Sequence, residues 1–199
     1  MRPDGPRPTI IGPDSGPEPP FPLRMKGDVV SGFGRGSKEL GIPTANIPVD
    51  GVPWIADCKS GVYFGWSCIR LPADHPDRSS PSVSPPSASS ADCLPAAKAA
   101  EGYRIYPMVM SIGYNPFYKN TVRSAEVHVL HEFKKDFYGS QMAISILGFI
   151  RPEYDYVSVE SLIEDIKTDI EVTKTSLKRE AWERGTGDAY LWGEDVHEG

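Results

Sequence analysis

Five short apolar runs, each bounded by turn-forming residues, limit the folds that this chain can adopt. They are rich in Val, Ile, Tyr and Phe, residues that favour extended backbone, and they occupy 25–30 (MKGDVV), 61–69 (GVYFGWSCI), 106–114 (YPMVMSIGY), 125–133 (AEVHVLHEF) and 141–149 (QMAISILGF). No helical periodicity separates one run from the next. Five or six short strands in succession predict a mainly β protein, built as an antiparallel barrel or sandwich.

A different periodicity begins at Ser158, whose hydroxyl suits the N-cap position of a helix. Apolar residues then recur at intervals of three, four and seven, at Val159, Leu162, Ile163, Ile166, Ile170 and Leu177. This pattern predicts a C-terminal amphipathic α-helix. Two acidic–basic pairs, Glu164 with Lys167 and Glu171 with Lys174, have the i,i+3 spacing expected on its solvent-exposed face.

Prolines cluster in two segments that lack any apolar period. Fourteen of the 20 prolines fall within residues 1–22 and 71–100. Such segments bury too little apolar surface to offset the entropy of ordering them. We therefore expect a disordered leader over 1–23 and a low-complexity insertion over 71–100. The remainder is expected to form one domain within 24–184, followed by a polar tail over 185–199.

Charge and composition exclude several classes of protein. A net charge of −6 argues against a surface that coats nucleic acid, because phosphate neutralisation needs a basic face. No apolar run has membrane-spanning length, and the N-terminus lacks a hydrophobic signal core. The three cysteines have no Cys-x-x-Cys spacing, which argues against a zinc site or a disulfide framework. We expect a cytoplasmic monomer with no nucleic-acid or membrane partner.

The stretch GFGRGSKELGIPTAN, residues 32–46, combines glycines with two cations. Glycine lets the backbone approach a ligand closely, and neighbouring cations suit an anion such as phosphate. The P-loop pattern and the Rossmann pattern are both absent, because Ser37 precedes Lys38 and the glycine spacing is wrong. On composition alone, a mobile hairpin loop explains the stretch equally well.

The end of that stretch, Pro43-Thr44-Ala45-Asn46, is stiffer. Proline fixes its own φ and favours an extended conformation in the residue before it. In an extended segment Thr44 and Asn46 point to the same side, where two neutral oxygens could share Mg²⁺ with nucleotide phosphates. The alternative is a turn in which Asn46 bonds its own backbone.

Alternation along residues 125–133 separates two faces of a strand. Val127, Val129 and Phe133 lie on one face, and Glu126, His128 and Leu130 lie on the other. A carboxylate in an apolar strand belongs either to a solvated face or to a functional site. Glu126 and His131 are both candidates for a general base acting on a hydroxyl, and spacing alone does not choose between them. His128 is interpreted as a structural or surface histidine.

These stretches, with GVYFGW (61–66), SIGYNPFYKN (111–120), EVHVLHEFKKDFYG (126–139) and GFIRPE (148–153), closely resemble the riboflavin kinase (flavokinase) family of the monofunctional eukaryotic type. The resemblance spans about residues 24–180. It implies a small, Greek-key-like β-barrel of about six strands with a C-terminal helix. It also implies transfer of the ATP γ-phosphate to the ribityl 5′-hydroxyl of riboflavin, which gives FMN and ADP.

The resemblance further implies roles for individual residues. Glu126 would be the general base, while Thr44 and Asn46 would hold Mg²⁺, with Zn²⁺ or Mn²⁺ as alternative ions. ATP contacts fall on Gly32, Lys38, Thr44, Asn46, Val129, His131 and Tyr138. Flavin contacts fall on Arg151, Tyr154 and Tyr156.

Three other functions fit the sequence less well. A non-catalytic flavin- or nucleotide-binding barrel would not need Thr44, Asn46 and Glu126 together. An RNA-contacting Gly-Arg-Gly loop is disfavoured by the acidic balance. A bifunctional enzyme that also adenylylates FMN would need a second domain, for which this chain leaves no room, so we expect kinase activity only.

Overall fold

The fold is built around one antiparallel sheet. The computed structural model describes residues 5–31, 42–80, 94–114, 123–183 and 187–193. Within them, the six strands lie in the order β1-β6-β3-β4-β5-β2. Their bounds are β1 Leu23–Asp28, β2 Ala45–Asn46, β3 Gly61–Arg70, β4 Tyr103–Tyr114, β5 Arg123–Val129 and β6 Gln141–Pro152. A bridge between Val30 and Asn46 brings the chain after β1 against β2, so the two ends of the strand order meet there.

Helices are few and short apart from one. The described residues contain α1 (Ala96–Glu101), α2 (Val159–Leu177) and α3 (Glu180–Glu183), with 3₁₀ turns at Pro76–Ser79 and Ala189–Trp192. Ser158 caps α2 as predicted, since its side chain accepts a hydrogen bond from the Ser161 amide. The predicted mainly β fold with a C-terminal helix is therefore confirmed. Across the described ranges, no helix is both long enough and apolar enough to cross a membrane.

Two apolar clusters lie on opposite faces of the sheet. One fills the concave interior with residues such as Met25, Met108 and Ile144. The other lies between the outer face and the C-terminal elements, where Phe64 stacks on Trp182 with ring centroids 5.6 Å apart. Because β3 is buried on both faces, it reads as a nearly continuous apolar run in the sequence.

The buried face of α2 differs from the predicted apolar stripe. Asp165 and Asp169 are almost fully buried, whereas Val159 at the start of the predicted stripe is 51% exposed. The carboxylates are tolerated because two guanidinium groups, of Arg7 and Arg151, pair with them. The solvent-side pair of Glu171 and Lys174 is present at 3.0 Å, as predicted.

The predicted disorder of the leader is wrong for residues 5–22. This segment packs along the C-terminal helices: Trp182 Nε1, on α3, donates to Pro13 O at 2.9 Å, and Arg179, between α2 and α3, donates to Gly12 O at 2.8 Å. The Ile11 amide donates to Ser176 Oγ at 3.0 Å. Hydrogen bonds from the C-terminal part of the chain therefore hold this segment without an apolar core of its own. Residues 1–4 lie outside the described residues.

Both ends of the predicted insertion are also packed. Arg104, on β4, donates to Ser80 O at 2.9 Å and to Ala99 O at 2.7 Å, which ties the two ends of 71–100 together. Arg78 does the same for Leu71 O and Ala100 O. The expectation of disorder therefore fails for 71–80 and 94–100, and residues 81–93 lie outside the described residues.

Part of the predicted polar tail packs on the sheet. Asp188 accepts hydrogen bonds from Arg24 Nε at 2.9 Å and from Ser145 Oγ at 3.0 Å. The next residues, Leu191 and Trp192, are buried in the outer apolar cluster. Residues 187–193 thus add to the cover of the outer face.

Candidate active site

Strand β5 carries the predicted alternation. Ala125, Val127 and Val129 are buried in the concave core, while Glu126 and His128 are half-buried on the opposite face. The tight core positions are β-branched or small, which fits a strand that is pressed against its neighbours. The predicted division of β5 into two faces is confirmed.

Glu126 lies directly opposite Asn46. In the antiparallel ladder of β2 and β5, Asn46 pairs with Glu126 and Ala45 pairs with Val127. Directly opposed residues in such a ladder present their side chains on the same face, about 4.5–5.5 Å apart at Cβ. The amide of Asn46 and the carboxylate of Glu126 therefore share one patch of the sheet, and Thr44 precedes β2 by one residue.

The same row continues across the sheet. Glu126 pairs with Ser111 on β4, Ser111 with Val62 on β3, and Val62 with Arg151 on β6. The row links the predicted catalytic residue to the first predicted flavin residue through two neutral positions. The face that carries Glu126 therefore also carries Arg151.

Burial raises the pKa of Glu126 above its ordinary value, because the ionised form loses solvation. A second carboxylate, Glu153, lies within electrostatic range. Burial also raises the pKa of Glu153, opposed by Arg123 and Arg151 and reinforced by the charge of Glu126. A carboxylate with a raised pKa is a stronger base than a solvated glutamate, so Glu126 suits proton abstraction.

The predicted nucleotide residues at the end of β5 and in the β5–β6 loop have different surroundings. Val129 points into the concave core, so its side chain is not available to a ligand on the Glu126 face. His131 stacks on Tyr106, with ring centroids 4.5 Å apart. Tyr138 is 54% exposed and borders a cavity of about 670 Å³ that it shares with Ser140. Thr44, Asn46 and Glu126 do not line this cavity.

A buried carboxylate supports the same loop. Asp77, from the 3₁₀ turn of the insertion, is 1% exposed, and its Oδ2 accepts a hydrogen bond from the Lys134 amide at 2.8 Å. Its Oδ1 lies 3.8 Å from His131 Nε2. His75 joins the contact, because its Nε2 lies 2.9 Å from Lys135 O. Sequence reasoning missed this support, since it treated the whole insertion as unstructured.

The predicted flavin residues form a compact group. Every side-chain nitrogen of Arg151 has a protein acceptor: Nε and Nη2 bond Asp169 at 2.8–3.1 Å, and Nη1 bonds Pro152 O at 3.1 Å. The guanidinium lies 4.7 Å from the ring centroid of Tyr154, which meets Tyr156 edge-on. Arg151 therefore orients Tyr154 and anchors α2 at the same time.

Two predicted ATP-binding residues, Gly32 and Lys38, lie outside the described residues. The metal prediction rests on Thr44 and Asn46, whose neutral oxygens are a donor set that Mg²⁺ accepts when phosphates and water supply the remaining ligands. Within the described ranges, no cluster of three or more His, Cys, Asp or Glu side chains could hold a metal ion.

Comparison with known proteins identifies related chains. The model of the flavokinase family, described as riboflavin kinase, matches residues 19–177. The riboflavin kinase of Pyricularia oryzae is 58% identical over 178 residues, covering 88% of this chain and 81% of the relative. That of Chaetomium globosum is 57% identical over 189 residues, with 88% and 80% covered.

A solved structure is similar to the whole fold. The crystal structure of riboflavin kinase from Trypanosoma brucei superposes with a TM-score of 0.62 at 25% sequence identity. The match covers 90% of this chain and 94% of that one. The overall fold is therefore similar to that of the Trypanosoma brucei enzyme.

Proposed function

The chain belongs to the riboflavin kinase (flavokinase) family of ATP:riboflavin 5′-phosphotransferases, and we propose that Glu126 is its general base and that Thr44 and Asn46 hold Mg²⁺ beside the ATP phosphates. The reaction moves the γ-phosphate of ATP to the ribityl 5′-hydroxyl of riboflavin. Its products are FMN and ADP.

The position of Asn46 opposite Glu126 is the observation that carries this proposal. Phosphoryl transfer needs little covalent help from the protein, and it depends on alignment of the nucleophile with the phosphate. The proposed base, Glu126, and the proposed Mg²⁺ ligand, Asn46, lie on neighbouring strands. The hydrogen-bonded backbone of these strands would keep the nucleophile and the phosphate aligned. A non-catalytic binding barrel would have no use for a buried carboxylate at this place.

Glu126 activates the hydroxyl. Its carboxylate accepts the hydroxyl proton as the oxygen–phosphorus bond forms, and the bond between the γ-phosphorus and the bridging oxygen breaks to release ADP. Burial raises its pKa, so the proton is held more firmly than it would be by a solvated glutamate.

Thr44 and Asn46 suit a hard divalent ion. A bound Mg²⁺ neutralises the charge of the phosphate oxygens during transfer. Mn²⁺ could take the same oxygen ligands, while Zn²⁺ prefers nitrogen and sulfur, which this pair lacks. Asn46 lies in β2 and Thr44 directly precedes that strand, so both oxygens come from one short stretch of backbone.

Other residues would hold the two substrates. His131 and Tyr138, on the β5–β6 loop, are proposed to contact the nucleotide, together with the backbone of Val129 and with Gly32 and Lys38. The rings of Tyr154 and Tyr156 offer apolar faces to a flavin, and Arg151 fixes the first of these rings.

One assay tests the activity directly. The full chain is incubated with riboflavin, ATP and Mg²⁺, and the products are separated by chromatography. FMN formed in proportion to ADP supports the proposal. Flavin binding without any FMN would instead favour a non-catalytic barrel. Replacing Mg²⁺ by Mn²⁺ or Zn²⁺ at equal concentration then tests which ion the oxygen ligands prefer.

A further inference from the structure

The imidazole of His128 contacts the backbone just before Thr44. His128 Nδ1 lies 2.8 Å from the carbonyl oxygen of Pro43. His128 follows Glu126 by two residues, so both side chains project from the same face of β5. The face of β5 that carries Glu126 and His128 therefore lies against both ends of the Thr44–Asn46 segment.

The β2–β5 register explains why the contact falls there. Asn46 pairs with Glu126 and Ala45 with Val127, so one further step along the ladder brings Thr44 opposite His128. Strand β2 nevertheless begins only at Ala45. Proline has no N–H to donate to a ladder, and regular pairing fails next to it. The His128 side chain supplies a hydrogen bond to the Pro43 carbonyl, which helps to hold the segment where the backbone ladder stops.

The chemistry of the contact fixes the state of the ring. A carbonyl oxygen can only accept, so Nδ1 must carry the hydrogen. Burial lowers the pKa of His128, although the hydrogen bond to Pro43 acts in the opposite direction. A neutral ring with its hydrogen on Nδ1 is consistent with the lowered pKa, and it can still donate the hydrogen bond to Pro43.

We propose that His128 is a positioning residue, which fixes the Pro43–Thr44 peptide and thereby aims Thr44 at the Mg²⁺ and phosphates of ATP. The inference rests on the proposed function of Thr44. The Pro43 carbonyl belongs to the same peptide plane as the Thr44 amide, so holding the carbonyl fixes the direction from which the Thr44 side chain leaves the backbone. Small displacements of groups that align a phosphate cost much of the rate.

Three substitutions of His128 distinguish the loss of its hydrogen bond to Pro43 from the loss of side-chain volume. Asn places its side-chain N–H at the level of Nδ1, whereas Gln places it one bond further out, near the position of Nε2. His128→Ala should raise the KM for Mg·ATP about three- to tenfold, the effect of one lost hydrogen bond. The KM for riboflavin should not change. His128→Asn should return the KM for Mg·ATP to within about twofold of the starting value, and His128→Gln should not.

Val109 provides the matched control. It lies opposite His128 on β4 and is buried in the outer apolar cluster. Val109→Ala should lower the thermal midpoint without separating the two KM values, because it removes packing and leaves the Pro43 contact in place. In His128→Ala, by contrast, the KM for Mg·ATP should rise while the KM for riboflavin stays unchanged. The thermal midpoint of His128→Ala should fall less than that of Val109→Ala.

Several outcomes would overturn the proposal. These are unchanged kinetics in His128→Ala, an equal rise of both KM values, or rescue by Gln rather than Asn. Calorimetric titration of each variant with Mg·ADP gives the same comparison without turnover. Failure of the proposed function has a different signature: the unmodified chain would make no FMN, or Thr44→Ala would bind Mg·ADP normally.

Discussion

Asn46 and Glu126 stand directly opposite each other in the ladder of β2 and β5. The pairing places a neutral amide and a half-buried carboxylate about 4.5–5.5 Å apart at Cβ. No loop movement is needed to bring them together, because the backbone hydrogen bonds of two strands fix their separation. We therefore expect substitution of Glu126 on β5 to affect mainly the chemical step. Substitutions in and beside β2 should affect mainly nucleotide binding.

Replacing Glu126 with Gln should remove the base and keep the shape. We expect kcat to fall roughly 10²- to 10⁴-fold, the usual contribution of a general base, while riboflavin still binds. Single-turnover assays with ATP and riboflavin measure the chemical step directly. Glu132→Gln is the control, since Glu132 is an exposed glutamate of the following loop. Near-normal turnover in Glu126→Gln would remove Glu126 from this role.

Thr44→Ala should weaken Mg·ATP binding more than riboflavin binding. Loss of one oxygen that faces a charged group is expected to cost roughly 10- to 100-fold in nucleotide affinity. Thr44→Ser keeps the hydroxyl and should stay close to the unmodified chain. Titration calorimetry with Mg·ADP and with riboflavin separates the two sites, and equal losses at both would show a general folding defect instead.

The insertion should stabilise the nucleotide loop through Asp77. Asp77→Ala leaves the Lys134 amide without its buried acceptor, which should lower the free energy of unfolding by about 1–3 kcal/mol. The KM for ATP should rise more than that for riboflavin, because the affected loop carries His131. Asp74→Ala is the control: its carboxylate pairs with Lys135 at the surface, so no measurable change is expected. Urea unfolding curves of the two variants that coincide would contradict the prediction.

Local patterns in the sequence were sufficient where local physics decides the structure. The alternation of β5 and the Ser158 cap depend on residues a few positions apart, and both were predicted correctly. The buried face of α2 was not, because the one arginine that pairs with both Asp165 and Asp169 is Arg7, 158 residues from the first of them. The prediction of disorder for residues 5–22 was wrong for the same reason. The donors that hold this segment, such as Trp182, lie at the far end of the chain. The contact of His128 with Pro43 follows from the β2–β5 register, which composition does not contain.

Arg7 should hold the N-terminal segment on α2. Its guanidinium donates to Asp165 Oδ1 at 3.3 Å and also bonds Asp169. Arg7→Ala leaves buried carboxylates with fewer donors, so we expect a loss of about 1.5–3 kcal/mol in the free energy of unfolding. Lys174→Ala removes only a surface pair with Glu171 and should be silent. Equal unfolding midpoints for both variants would show that the Arg7 contacts contribute nothing measurable to stability.

Glu126 should reduce the stability of the protein at neutral pH. Burial raises its folded-state pKa above the ordinary value of 4.5 that applies to the unfolded chain. Between these two pKa values the folded state binds more protons than the unfolded state, so stability falls as pH rises through that window. Above it, the ionised carboxylate carries the full cost of its burial.

Glu126→Gln removes that charge while it keeps the side chain's size. Its thermal midpoint should therefore exceed that of the unmodified chain at pH 7, and the difference should shrink as the pH falls well below 4.5, where the unmodified carboxyl becomes protonated in both states. Thermal unfolding followed by circular dichroism at a series of pH values measures this. Glu132→Gln, at an exposed position, should show no such pH-dependent gap. A Glu126→Gln protein that is less stable at pH 7 would mean that the carboxylate is stabilised by a partner, and that burial does not control its ionisation.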